Sequence, residues 1–384
     1  MRSVSIIGTH LTNFGRLDGK SLKEIAAEAC VGAMDDAKIS PKQIEEFVLG
    51  NFASGNLTRQ ETVAPIVANA IGLANIPATK VEGACASGGI ALRYGYQMVA
   101  SGIHDFVLVA GVEKMTAATT SKAIESLVAA EDREIEGRTG LTFPGFFALV
   151  MNRYSEKFGT SREQIAKVSV KNRKYGVRNP KAQFRKEVTV EDVINSRLIA
   201  DPIRLLDCCA ISDGAGAAVL CPTEMARKFT DTPVEIAGIA QVSGRGAAFE
   251  YEDLIGFECT KLAAEQAMRT ARVSHREIDV LELHDCFTIA EIVASEDLGF
   301  FKKGTGADAL KEGETEIGGK IPINPSGGLL SKGHPIGATG MGQVYEIVEQ
   351  LRGEAVNQVS NAKIGMMHNF GATGTVCVVS VLKR

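Results

Sequence analysis

The chain has 384 residues, 45% hydrophobic and 23% charged, with a net charge of −4. That length exceeds one small core and suits two or three domains of an ordinary soluble globular protein. No dense basic run points to nucleic acid, and no apolar run is long enough to span a membrane.

Strand and helix signals alternate from the start. Ser3–Gly8 reads as a strand rather than an export signal. Ser21-Leu22-Lys23-Glu24 is a capping box opening a helix with Ile25, Ala26, Ala29, Cys30 and Ala33 on its inner face. Phe47–Gly50 and Ala78–Val81 read as short strands. A helix follows Cys85 and stops near Ser101-Gly102, and Phe106–Ala110 is an apolar strand buried on both faces.

Residues 116–204 differ. They hold Thr119-Thr120-Ser121, acidic Glu131-Asp132-Arg133-Glu134 and a helical basic segment, Lys171–Lys186. This stretch reads as a loop domain laid over an α/β scaffold, where such insertions often cover the active site. Ile211–Leu220 then returns to the core as turn plus strand. Val234–Gly238, Val280–Leu283, Ile364–His368 and Thr375–Leu382 read as strands, with helices over about 260–272, 290–298 and from His334 to about Leu351. The same order of elements runs twice. The chain therefore reads as an N-terminal half, 1–115 with 205–230, a loop domain, 116–204, and a C-terminal half, 231–384.

Cys85 and His334 sit at matching points, each before the third helix of its half. Cys85 lies in Gly83-Ala84-Cys85-Ala86-Ser87-Gly88-Gly89, where the positive end of a helix favours thiolate. His334 lies in Gly333-His334-Pro335, which alone reads equally as a helix start. His284 and Cys286 alternate along an extended His284-Asp285-Cys286-Phe287, so both side chains point to one side. Together these residues point to an enzyme that carries an acyl group on sulfur, with a depressed pKa expected at Cys85.

Other features have blander readings. Eight cysteines include no C-x-x-C pair, so no metal site is expected. Cys208-Cys209 reads as buried packing. His368-Asn369-Phe370-Gly371-Ala372-Thr373-Gly374 reads as a turn, either a plain hairpin or a source of backbone N–H groups for an oxyanion. Gly337-Ala338-Thr339-Gly340 is discounted as a dinucleotide fingerprint because a helix has already begun. Phe143, Phe146 and Phe147 form loop core or a roomy acyl pocket. Lys171, Arg173, Lys174 and Arg178 form a solvated face or meet phosphate groups.

The Cys85 loop, Gly-His334-Pro and the Ser212-Asp213-Gly214-Ala215 turn fall in the order of the thiolase superfamily, and the resemblance covers essentially the whole chain. Many thiolases have Asn-Glu-Ala-Phe where this chain has His284-Asp285-Cys286-Phe287, and a second cysteine in a C-terminal Cys-x-Gly motif that is missing here. The combination resembles the sterol-carrier-protein type and related archaeal and bacterial thiolases.

That resemblance implies duplicated βαβαβαββ halves in a five-layered α-β-α-β-α fold with an inserted loop domain. It implies no bound cofactor, coenzyme A as co-substrate, and 3-oxoacyl-CoA cleavage or the reverse condensation. It implies Cys85 as nucleophile, Cys286 as acid/base, and His334 and His284 as activator and oxyanion donors. Gly371, with the Cys85 N–H, is expected to form a second oxyanion hole, and His368 is the reserve base. The CoA phosphates fall to Lys171, Arg173, Lys174 and Arg178. Expected partners are a second copy (a homodimer or dimer of dimers), a small zinc-ribbon/OB-fold companion and, in archaea, a hydroxymethylglutaryl-CoA synthase.

Two other classes stay open. One is another condensing enzyme, a ketoacyl synthase or hydroxymethylglutaryl-CoA synthase, using Cys85, His284 and His334. The other is a non-catalytic acyl- or lipid-binding subunit. The reduced thiols and the C-terminal Val381-Leu382-Lys383-Arg384, which is not a peroxisomal tripeptide, suggest the cytoplasm.

Overall fold

A computed structural model describes residues 2–384. The strands are β1 (Val4–Leu11), β2 (Glu46–Gly50), β3 (Ala78–Val81), β4 (Val107–Lys114), β5 (Leu198–Ala200), β6 (Ile203–Arg204), β7 (Asp213–Pro222), β8 (Val234–Ser243), β9 (Val280–Glu282), β10 (Ile364–Gly371) and β11 (Val376–Lys383). Nine of them form one sheet in the order β3-β2-β4-β7-β1-β8-β11-β10-β9. The order is palindromic. The first half runs inward to β1, and the second half repeats it outward from β8. The two meet where Ser5 pairs with Glu235 and Ile6 with Val234. The strand that would mirror β3 shrinks to a single parallel bridge, Leu281 to Ile323.

Two central helices, Ser87–Ser101 and Thr339–Arg352, pack on each other and touch strands of both halves. Leu22–Asp36 covers the outer face of the first half, and Glu258–Ala271 that of the second. Five layers result, each helix layer burying an apolar stripe against a sheet. Between the halves the core includes Ile6, Val109, Leu92, Met341, Val344 and Val378.

Glycine sets how closely the central helices approach. A Cβ on Gly88 would lie 2.9 Å from Met341 N, and one on Gly340 would lie 2.4 Å from Gly89 N. Any side chain there would force the two helix starts apart.

The local signals hold in detail. The Ser21–Glu24 capping box is formed, with Glu24 Oε2 accepting from Ser21 N at 2.8 Å. Gly102 ends the Cys85 helix at φ 83°. One local expectation changes: His368–Gly371 is the end of β10, and only the residues after it turn. The insert supplies Thr120–Val128, Phe143–Phe158, Arg162–Gly176 and the β5–β6 hairpin. Its Phe146, Val150 and Ile165 share one core with Phe287, Ile289 and Phe370 of the second half.

Candidate active site

Cys85 sits in a tight turn, Ala84–Ala86, that runs straight into the helix Ser87–Ser101. Ser87 closes the turn: its Oγ accepts from Gly83 N at 3.0 Å and donates to Ala84 O at 2.7 Å. Ala84 takes a left-handed φ of 48° as a result, a strained setting for a residue with a side chain. The turn brings Cys85 Sγ to 3.3 Å from His334 Nε2.

His334 is fixed from behind. Its N–H donates to Ser212 Oγ at 3.1 Å, which gives the Ser212-Asp213 turn its role. Its Nδ1 lies 2.6 Å from Thr339 Oγ1, and that hydroxyl donates to Pro335 O at 3.1 Å. A hydroxyl carries one proton, so Thr339 accepts from Nδ1–H and Nε2 is left free to take the thiol proton.

His284 stands edge-on to His334, ring centres 4.9 Å apart. Asn369 binds three elements at once. Its Oδ1 accepts from Gly89 N at 3.0 Å, and its Nδ2 donates to Cys85 O at 2.8 Å and lies 3.5 Å from His284 Nδ1. With Oδ1 engaged by a donor, the amide orientation is set, His284 Nδ1 accepts, and its Nε2–H is free to donate to substrate.

The Cys85, His284 and His334 donor atoms all lie within 4.8 Å of one another, as a metal would need. A metal-bound histidine, however, donates its outer N–H to an acceptor. His284 meets an amide N–H there instead. The cluster suits a developing anion.

The His284-Asp285-Cys286-Phe287 motif divides its work. His284 and Cys286 line the same cavity as Cys85 and His334. Asp285 turns away, accepting from Leu329 N at 2.7 Å and Asn172 Nδ2 at 2.7 Å, and so anchors the short helix Gly328–Lys332 that leads to His334. Phe287 stacks on Phe147 of the insert at 4.6 Å.

Two models of known families cover the chain. One, the thiolase N-terminal domain, matches residues 4–224, and the other, the thiolase C-terminal domain-like family, matches 240–384. The chain belongs to the thiolase family. It is 47% identical to an acetyl-CoA acetyltransferase of Methanothermobacter thermautotrophicus over all of both chains. It is 35% identical to sterol carrier protein 2 of Bos taurus, covering 98% of this chain and 71% of that one. Among solved structures, an Ltp2-ChsH2(DUF35) aldolase superposes with a TM-score of 0.87 at 27% identity over 99% of this chain and 97% of that one. Human mitochondrial 3-ketoacyl-CoA thiolase in complex with CoA shares the fold, with a TM-score of 0.75 at 17% identity over 100% and 98% of the two chains. The protein is thus a thiolase-type acyltransferase, and CoA thioesters are its substrates.

Electrostatics in this thiolase run against the expectation of a depressed Cys85 pKa. Burial pushes the thiol up to about 12, with Glu113 and Glu82 adding to the rise, while the N–H groups of Ala372 and Cys85 pull it down. Burial also lowers His334 to about 3. The resting pair is therefore a neutral thiol and a neutral imidazole. Either charge alone is penalised in this apolar site, but a proton crossing 3.3 Å makes an adjacent ion pair whose attraction offsets part of both penalties. Alkylation of Cys85 by iodoacetamide should then rise with pH from 7 to 9 without a plateau, as followed by peptide mass spectrometry. A plateau near neutral pH would mean a preformed thiolate. Cys286 is pushed well above the ordinary thiol range by burial first, then by Cys209, Cys85 and Asp285.

Several expected site residues are placed elsewhere. Gly371 does not line the cavity: it pairs with Val376, and a Cβ there would lie 2.6 Å from Gly83 O. The next residue, Ala372, turns its N–H to Cys85 Sγ from a φ of 53°. His368 lies one layer behind, where Nδ1 accepts from His284 N at 3.4 Å and Nε2 meets Thr260 Oγ1 at 3.2 Å. Lys171 is buried against Glu291 at 2.5 Å, and the Arg173 guanidinium is buried 4.1 Å over Phe184. Neither can reach a CoA phosphate. Lys174 pairs with Glu316 at 2.8 Å and borders, with Arg178, a surface groove separate from Cys85. Cys208 and Cys209, read as packing, line the same cavity as Cys85 and His334. Phe143 and Phe147 line it too, while Phe146 belongs to the core.

Proposed function

We propose that this thiolase cleaves a 3-oxoacyl-CoA with coenzyme A, or condenses two acyl-CoA molecules in reverse, through an acyl group on Cys85. As the substrate ketone arrives, His334 Nε2 takes the Cys85 proton and the sulfur bonds to C3. The tetrahedral oxyanion lies at the N–H groups of Cys85 and Ala372, a role moved by one residue from Gly371. The C2–C3 bond breaks, and its electron pair forms the enolate of acetyl-CoA. His284 Nε2–H holds the enolate oxygen while the Cys286 S–H protonates C2. The Cys286 thiolate then takes the proton of the coenzyme A thiol, the coenzyme A sulfur attacks the Cys85 thioester and leaves as the shortened acyl-CoA, and the freed Cys85 sulfur recovers its proton from His334. Losing one such oxyanion donor typically costs about 3–4 kcal/mol of barrier.

The observation that carries this reading is one cavity lined by both the Cys85–His334 pair and Cys286. A condensing enzyme without thiolytic activity has no use for Cys286. The test is CoA-dependent conversion of acetoacetyl-CoA to two acetyl-CoA, followed by chromatography, beside malonyl-thioester condensation as the contrast. Condensation without thiolysis would favour a ketoacyl synthase.

The working unit we infer is a homodimer or dimer of dimers in the cytoplasm, with coenzyme A as co-substrate and a small zinc-ribbon/OB-fold companion. The Ltp2-ChsH2(DUF35) likeness supports a companion. The resemblance to archaeal thiolases adds a hydroxymethylglutaryl-CoA synthase to the proposed partners. Among the described residues no helix is long and apolar enough to cross a membrane. Co-expression with neighbouring genes should recover a small zinc protein on affinity purification. Full thiolytic activity from a purified homodimer alone would refute the need for it.

A further inference from the structure

The cavity beside Cys85 holds about 280 Å³, and its walls are almost wholly apolar. Leu127 comes from the helix Thr120–Val128, and Phe143 and Phe147 from the helix Phe143–Phe158. At its mouth stand Ile124, Ile199 and Leu205, which are 42%, 37% and 46% exposed. No lysine, arginine, aspartate or glutamate among the described residues lines it. Apart from the histidines and thiols, the polar side chain on its wall is Thr142, whose Oγ accepts from Gly145 N at 3.4 Å as a helix cap.

An acetyl group has three heavy atoms and leaves most of this space unfilled. Ligand pockets for much larger molecules start at roughly 300 Å³. The pantetheine arm of CoA is a poor match for these walls, because its two amides would be desolvated without partners. An unpaired buried amide is costly, whereas methylene groups gain from each apolar wall they cover. The insert supplies Leu127, Phe143, Phe147 and Ile199 to these walls, and the duplicated scaffold supplies Met115, Phe287 and Ile336, so apolar side chains line the space on both sides.

We infer that the acyl group carried on Cys85 is an apolar chain well beyond acetyl, extending from the sulfur between Leu127, Phe143 and Phe147 toward the Ile199–Leu205 mouth. The inference rests on the thiolase reading above and names its substrate class. A single methylene in an apolar pocket discriminates by about ten to two hundredfold.

The test is thiolysis of acetoacetyl-CoA, 3-oxohexanoyl-CoA and 3-oxooctanoyl-CoA by the full-length protein. The expected kcat/KM for 3-oxooctanoyl-CoA is at least tenfold above that for acetoacetyl-CoA. Leu127→Trp should fill the cavity and cut that ratio at least tenfold. Ile199→Trp, at a part-exposed site that tolerates bulk, gives a second reading if Leu127→Trp fails to fold. A preference for acetoacetyl-CoA overturns the inference. So does a tryptophan that lowers all three esters alike, because the cavity then houses the shared CoA arm. Acyl transfer from octanoyl-CoA and acetyl-CoA to Cys85, read by intact mass, tests the cavity without carbon–carbon chemistry. Faster acetyl transfer overturns the inference. Octanoyl transfer without any thiolysis keeps it and sinks the thiolase reading instead.

Discussion

Cys286→Ala should still take an acyl group from an acyl-CoA onto Cys85, yet should neither cleave nor condense. Thioester exchange onto Cys85 needs the sulfur, His334 and an oxyanion donor, all of which remain. Carbon–carbon chemistry also needs a proton at C2, and Cys286 is the thiol placed on that cavity wall. Its pKa, raised by burial, makes it a thiol that can give a proton, and in the reverse direction a strong base once ionised. General acid/base groups contribute about 10²–10⁴-fold, so turnover should fall by that much, with α-proton exchange of acetyl-CoA into deuterated water lost alongside. Normal turnover in Cys286→Ala would move the role elsewhere. The next candidate is then Cys209, which lines the cavity and whose N–H donates to Cys286 O at 2.9 Å. His368, the reserve choice from sequence, is walled off behind His284.

His334→Ala should fail one step earlier. With a pKa near 12, Cys85 alone at pH 7 is about one part in 10⁵ thiolate, so attack depends on a base that takes the proton as the bond forms. Acylation of Cys85, followed by rapid quench and intact mass, should slow by about 10²–10⁴-fold at pH 7. The variant should then recover about tenfold per pH unit from 7 to 9, as hydroxide replaces the imidazole. A flat pH profile in His334→Ala would show that Cys85 is ionised by something other than His334. The histidine also has a sign in stability. Its folded pKa lies below its unfolded one, so the unfolded chain binds the extra proton and stability falls as pH drops from about 6.5 toward 3.

The sequence was most legible where chemistry is written locally. Cys85, His334, His284 and Cys286 each sit in a motif whose flanking residues dictate the backbone, and the structure brings all four to one cavity. Asn369 was passed over because its importance comes from distance: it joins Cys85 O and Gly89 N, 284 and 280 residues away. The available signal was a pair of polar residues, His368 and Asn369, set between apolar Met366-Met367 and Phe370, where an unpartnered amide would be costly.

The basic segment misled for the opposite reason. Charge along a helix suggests solvent, but the helix Arg162–Gly176 turns Lys171 and Asn172 inward to Glu291 and Asp285. Only pairing across the fold reveals which positions face in. Likewise the sequence could not tell Gly371 from Ala372, since a one-residue extension of β10 decides which N–H points at the sulfur.

Cys85 and His334, the proposed nucleophile and base, stand just before two helices from opposite halves that meet at Gly88, Gly89 and Gly340. During synthesis the ribosome releases Cys85 long before His334 is made. The Cys85–His334 pair, and the Ala372 N–H that joins it, therefore form only when the two halves close on each other, and an N-terminal half on its own would hold Cys85 without its base.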